Sequence, residues 1–189
     1  MAYGAGPELW LVRHGETEWS RDGRHTSTTD LPLTPEGEAV AEGLSAVLGD
    51  EHFDLVLTSP RLRARRTAEL TGFGSAETDD DLVEWDYGSY EGITTAEIRE
   101  TVPGWTVWSH PVPGGESADA VAERLDRVVA RARSVDQALV FGHGHALRAL
   151  AARWLGLPAT DGRLFRLDTA TVSVLGFERE SPTILHWNA

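Results

Sequence analysis

Leu9-Trp10-Leu11-Val12-Arg13-His14-Gly15-Glu16 decides how this chain is read. The four apolar residues, bounded by polar ones, predict a buried strand. The strand ends in three residues suited to an anion, and the chain then enters a helix-compatible segment. A guanidinium forks onto phosphate oxygens, and an imidazole can attack phosphorus. A glycine allows close backbone approach beside the free N–H groups of a helix start. Four residues also recur by chance, so the motif needs partners elsewhere.

Outward from this point, strand and helix signals alternate. A polar loop is expected from Ser20 to Pro32. Thr34 and Pro35 then start a helix that runs to about Leu48 and is closed by Gly49. Phe53–Leu57 reads as a second strand, followed by a helix from Arg61 to about Leu70. A short strand near residues 76–78 precedes the acidic Asp79-Asp80-Asp81. Residues 82–115 are irregular, apart from a short helix around Thr95–Glu100. Ser117 caps a long helix to about Arg133, Ala138–Phe141 is a fully apolar strand, and a helix follows from Ala146 to Leu155. Residues 170–177 and 183–187 read as antiparallel strands at a sheet edge. This alternation predicts an α/β fold: a three-layer α/β/α sandwich with a mostly parallel central sheet and an antiparallel edge strand. One domain over residues 1–189 is expected.

In such sheets ligands bind at the carboxyl ends of strands. Three strand ends here carry reactive groups: Arg13 and His14, then Ser59 with Arg63 one helical turn further, then His143 of Gly142-His143-Gly144-His145. Glu84, flanked by Val83, Trp85 and Tyr87, is the candidate proton donor, because bulky neighbours desolvate a carboxyl and favour its protonated form. Read from local sequence alone, Glu84 is a surface carboxylate on a loop.

Composition sets limits. At 189 residues the chain can bury on the order of 70 % of its unfolded surface; 41 % hydrophobic and 25 % charged residues are ordinary for a globular protein. No apolar run approaches the roughly 20 residues of a membrane span, and Met1–Pro7 lacks the features of a leader, so the cytoplasm is the expected location. Without cysteine there is neither a disulfide framework nor a thiolate metal site. A net charge of −13 argues against nucleic-acid or anionic-membrane partners. It also requires that arginines be concentrated where a substrate anion sits. Arg61-Leu62-Arg63-Ala64-Arg65-Arg66 meets that need, although two or three of its four arginines read as a solvated helix face.

Taken together, the motifs resemble those of the histidine phosphatase superfamily, phosphoglycerate-mutase-like branch, over nearly the whole length. Leu11–Thr17 is similar to its signature, Leu33–Gly37 to its helix start and Ser59–Ala68 to its second arginine motif. Glu84 with Gly88, Glu91 and Gly92 is similar to its acid motif, and His143–Arg148 to its last. Arg24-His25-Thr26, Glu84–Gly92 and His143-Gly144-His145 resemble, more narrowly, small acid phosphatases of actinobacteria and fungal sedoheptulose bisphosphatases. The resemblance implies a phosphomonoesterase for small phosphorylated metabolites such as sugar phosphates, with an acid-leaning optimum. It implies that His14 is the nucleophile, that Arg13, Arg63 and His143 bind the phosphoryl oxygens, and that Glu84 is the acid and base. No cofactor or metal is implied, because two guanidiniums and an imidazolium supply the charge. Many members carry Asn where this chain has Ser20, whose hydroxyl is expected to donate one bond to phosphate. His25, Thr26, Tyr87 and His145 are candidate substrate contacts.

Other readings stand beside this one. His143 lies 59 positions after Glu84, a shorter insert than in the family's mutases. The shorter insert implies an open, water-accessible pocket and favours a phosphatase over a phosphoglycerate mutase. A non-catalytic phospho-ligand binder is a second class. Zinc on His14, His143 and His145 is a third, opposed by the adjacent arginines. The C-terminal strands could also pair two copies into a homodimer.

Overall fold

The computed structural model describes residues 6–189; most of Met1–Pro7, where no leader was expected, lies outside them. Six strands form one sheet: β1 (Glu8–Arg13), β2 (Leu55–Thr58), β3 (Glu77–Thr78), β4 (Gln137–Gly142), β5 (Val172–Glu178) and β6 (Ser181–His186). Their order is β3-β2-β4-β1-β5-β6. The first four are parallel; β5 is antiparallel to β1, and β6 is antiparallel to β5. The two antiparallel strands expected at the edge are β5 and β6.

Strand side chains alternate between faces, and here both faces are covered. Leu9, Leu11, Leu57, Ala138, Val140 and Leu175 pack with α6 (Ala118–Ala132) and α7 (Gly144–Trp154), through Leu125, Val128, Leu147 and Trp154. Val12, Leu139, Phe141 and Val174 face the other way, onto Leu44, Leu48 of α3 (Ser45–Leu48) and Ala68 of α4 (Leu62–Leu70). A central strand buried on both sides has to be apolar without interruption, which is why β1 and β4 read so clearly.

The helix expected over 34–48 is divided. After Thr34 accepts from Gly37 N, α2 (Pro35–Gly43) ends at Leu44 and α3 begins anew. Glycine is a weak helix former, and the break lets Leu44 and Leu48 both turn inward. The expected polar loop contains a helix, α1 (Glu18–Asp22), at its start. The remaining helix, α5 (Thr95–Thr101), begins with a capping box made by Thr94 and Glu97.

Register sets the site. Arg13 pairs with Gly142, and Thr58 with Phe141, so His14, Ser59 and His143 leave three adjacent strands at the same edge. His14 N donates to Gly142 O at 3.0 Å and Ser59 N to Phe141 O at 2.9 Å. Gly15 and Gly37 then meet backbone to backbone: a Cβ on Gly37 would lie 2.3 Å from Glu16 O.

Candidate active site

A cavity of about 260 Å³ opens at this edge, and its wall includes Arg13, His14, Glu84, His145 and Arg148. The rings of His14 and His143 meet edge to face with centroids 5.3 Å apart. His14 Nδ1 lies 2.7 Å from Gly15 O. A carbonyl only accepts, so Nδ1 carries the proton and Nε2 keeps its lone pair. Burial, then the charges of Arg63 and Arg13, hold His14 well below the usual imidazole range. The ring is thus neutral, with its nucleophilic nitrogen unblocked.

His143 is fixed from both sides. Arg63 Nε donates to its Nδ1 at 3.2 Å, and its Nε2–H donates to Ser59 Oγ at 2.7 Å. Burial first, then Arg63, His14, Arg61 and Arg13, push it well below the ordinary range. This corrects the expected imidazolium: before substrate arrives, His143 is neutral. Arg63 and His143 have no exposed surface and do not line the cavity. They form the layer behind His14, with the Arg63 Nη groups on the carbonyls of Thr26, Ser27 and Thr29.

Arg13 does reach the cavity. Its Nη1 donates to Leu167 O at 2.6 Å, while its buried Nε has no protein acceptor. Gly144 leaves room for the guanidinium, since a Cβ there would sit 3.3 Å from Arg13 Cζ. Glu84 is buried as expected, but not among apolar groups alone. Its Oε1 accepts from Trp85 N at 2.9 Å and Ala146 N at 2.8 Å, and its Oε2 from His145 N at 3.0 Å. The two N–H groups at the start of α7 point at the carboxyl group, so it exchanges water for aligned amides.

The other expected contacts divide. Ser20 lines the cavity, but its hydroxyl donates to Thr17 O at 3.0 Å and accepts from Thr17 N at 2.9 Å. Its proton goes to the Thr17 carbonyl and its oxygen closes the capping box of α1, so neither is turned to a ligand. His25, Thr26, Tyr87 and His145 all line the cavity. His25 donates Nδ1–H to Ile93 O at 2.8 Å and packs on Tyr87 with ring centroids 4.7 Å apart. Tyr87 Oη and His145 Nδ1 are 2.5 Å apart; burial, then Glu84, raises Tyr87 well above its ordinary value, so it stays a phenol.

Arg24 and Arg148, quoted within motifs but not singled out, also line the cavity. Arg148 lies over the Trp108 ring at 4.8 Å. Eight other arginines pair with carboxylates. Among the described residues Arg13, Arg24, Arg61, Arg63, Arg65, Arg99, Arg133, Arg148 and Arg179 do not. Three of these nine, Arg13, Arg24 and Arg148, line the cavity, so a local cluster of unpaired cations stands against the negative net charge. Of the arginine run, Arg63 is buried, Arg66 pairs with Glu38 at 2.7 Å and Arg65 is exposed. The zinc reading fails on donor chemistry. His143 has both ring nitrogens engaged and His145 has its Nδ1 engaged; no cluster of His, Cys, Asp or Glu suited to a metal ion occurs among the described residues. Nor is any described helix long and apolar enough to cross a membrane.

Comparison with known proteins agrees with this geometry. The chain is 46 % identical over 175 residues to an acid phosphatase of Mycobacterium tuberculosis, covering 90 % of this chain and 86 % of that one. It is 38 % identical over 185 residues to sedoheptulose 1,7-bisphosphatase of Saccharomyces cerevisiae, covering 80 % and 68 %. A solved structure of a Mycobacterium tuberculosis open reading frame product superposes with a TM-score of 0.92 at 42 % identity, covering 96 % and 97 %. The profile of the histidine phosphatase superfamily (branch 1) matches residues 9–189, and the chain belongs to that family.

Proposed function

We propose that this protein is a phosphomonoesterase that hydrolyses small phosphorylated metabolites through a phosphohistidine on His14. The observation that carries the reading is the state of His14: a neutral ring, its Nδ1–H held by Gly15 O, beside the unpartnered Nε of Arg13 in a cavity without a paired carboxylate for its arginines. His14 Nε2 attacks phosphorus, and the bond from phosphorus to the leaving oxygen breaks. Glu84 gives its proton to that oxygen. Water then attacks phosphorus while Glu84 takes its proton; the phosphorus–nitrogen bond breaks with its electron pair returning to His14 Nε2, and inorganic phosphate leaves. Arg13 holds equatorial oxygens, while Arg63 and His143 supply field and orientation from behind. The arriving dianion favours protonation of His143, which adds to that field.

The rest of the wall supports a polyhydroxylated leaving group. Thr26, His25, Thr95, Tyr87 and His145 offer hydroxyls and ring nitrogens, with Arg24 and Arg148 near them. This lining suits sugar phosphates. The open edge of β6 and a cytoplasmic location complete the reading, with two copies pairing at that edge; light scattering and cell fractionation test both. The functional test is release of inorganic phosphate from a chromogenic phosphomonoester and from a panel of sugar phosphates, lost in His14→Ala. Isomerisation of 3-phosphoglycerate without phosphate release contradicts it.

A further inference from the structure

Arg63 is a fully buried cation that makes no salt bridge among the described residues; Glu84 and Asp30 act on its charge without touching it, and the direct partners of its Nη groups are backbone carbonyls. Its Nη2 donates to Thr26 O at 3.2 Å and Ser27 O at 3.3 Å, and its Nη1 to Thr29 O at 3.1 Å. On the other side of that segment is Glu91. Its Oε1 accepts from Ser27 N and Thr29 N, each at 3.0 Å; its Oε2 accepts from Ser27 N at 2.9 Å and Ser27 Oγ at 2.6 Å. Ser27 N–H and Thr26 C=O belong to the same peptide unit. One rigid amide therefore has its donor on the Glu91 carboxylate and its acceptor on the Arg63 guanidinium.

We propose that Glu91 is a positioning residue of the active site, acting on Arg63 through the Thr26–Ser27 peptide and through Arg63 on the ring of His143. The inference rests on the catalytic reading above. A planar amide transmits orientation because it does not bend, and charges at its two ends polarise it so that each hydrogen bond strengthens the other. The relay continues from Arg63 Nε to His143 Nδ1, and from His143 Nε2–H to Ser59 Oγ. Asp30 Oδ1 fastens the same loop to the start of α4 by accepting from Leu62 N at 2.8 Å. Ser27 Oγ accepts from Tyr87 N at 3.3 Å. Burial works against the charge of Glu91, but the Ser27 hydroxyl and the Thr29 and Ser27 amides outweigh it and keep the carboxyl below its ordinary range. Glu91 does not line the cavity.

Two substitutions test this. Glu91→Gln keeps the shape, removes the charge and turns an NH2 toward N–H donors. Glu91→Asp keeps the charge but is too short to serve Ser27 and Thr29 together. With a chromogenic phosphomonoester, Glu91→Gln should lower kcat by about tenfold to a hundredfold, the scale of a misplaced catalytic group, with KM little changed. Nitrogen NMR of the His143 ring should show Nδ1 losing its donor, and Glu91→Asp should fall between. If Glu91→Gln does not fold, Glu91→Asp carries both readouts. A residue that only held the fold together would lower the unfolding temperature but leave kcat per folded molecule and the His143 nitrogen signals unmoved; that result overturns the proposal. Turnover surviving in His14→Ala would instead overturn the catalytic reading on which it rests.

Discussion

Lowering the pH from 7.5 to 5 should destabilise this protein steeply while leaving its nucleophile ready. His14 is held below the ordinary imidazole range by burial and then by Arg63 and Arg13; His143 is held there by burial and then by Arg63 and His14. In His25 burial prevails over the Ile93 carbonyl, Glu84 and Glu91, which pull the other way. The unfolded chain takes up these protons near pH 6.5, at roughly the unperturbed value, and the folded chain does not. Below that pH the unfolded state binds more protons, so stability falls as pH falls, until the folded rings titrate in turn. Each histidine contributes up to about 1.36 kcal/mol per pH unit. The three buried rings together approach roughly 4 kcal/mol per unit, a large share of a typical stability of about 5–15 kcal/mol. His145, also lowered by burial and then Arg148, adds to the slope. A neutral His14 meanwhile keeps its lone pair below pH 6.5, which permits an acid-leaning optimum until the fold gives way. The assay is thermal unfolding across this range at fixed ionic strength, with and without inorganic phosphate. Phosphate should raise Tm by mass action and flatten the slope, because an anion favours the protonated rings. His143→Gln should remove about one proton from the slope. A Tm unchanged between pH 7 and 5 in phosphate-free buffer, or ring signals of His14 and His143 titrating near 6.5, would refute the reasoning.

Other consequences follow from single contacts. Glu84→Gln should lower kcat by about 10²–10⁴ for an alkyl phosphate and much less for an aryl phosphate, whose phenoxide needs no proton to leave; steady-state rates on the two substrates check it. Gly37→Ala drives a methyl to 2.3 Å from Glu16 O, so the turn that carries Gly15 O must shift. About 1–3 kcal/mol of stability should be lost in urea unfolding, with a fall in kcat although the residue touches no substrate. Arg124, buried, forks onto Glu116 at 2.8 and 3.0 Å and holds Asp81 O and Val83 O at 2.7 and 2.8 Å, just before Glu84. Arg124→Ala should cost about 3–5 kcal/mol, the scale of a broken buried pair, measured by the same unfolding.

The parts of this fold that were legible are those in which one physical requirement acts on consecutive residues. β1 and β4 must be apolar on both faces, and Thr34-Pro35 and Ser117 are local caps, so each is visible in a short window. The strand-end residues Arg13, His14 and His143 follow from the same logic. What escaped was either too short or assembled from afar. Glu18–Asp22 has no apolar stripe, and its capping box uses Ser20 in place of the usual Glu or Gln, so the segment after Gly15 read only as helix-compatible and its bounds were not marked. The aligned amides around Glu84 come from residues 145 and 146, which local neighbours such as Val83 and Trp85 do not announce. The neutrality of His143 depends on burial first and then on Arg63 and His14, which come from other parts of the chain, and the carboxylate of Glu91 reaches Arg63 only through a folded loop.

The most direct test is to trap the covalent intermediate. The protein is mixed with a radiolabelled phosphomonoester, quenched within the first turnover in alkali, where phosphohistidine persists, and its peptides are located by mass spectrometry. A phosphoryl group on the peptide containing residue 14, absent in His14→Ala, is the predicted result. Full single-turnover hydrolysis with no labelled histidine, or label on another residue, would contradict it.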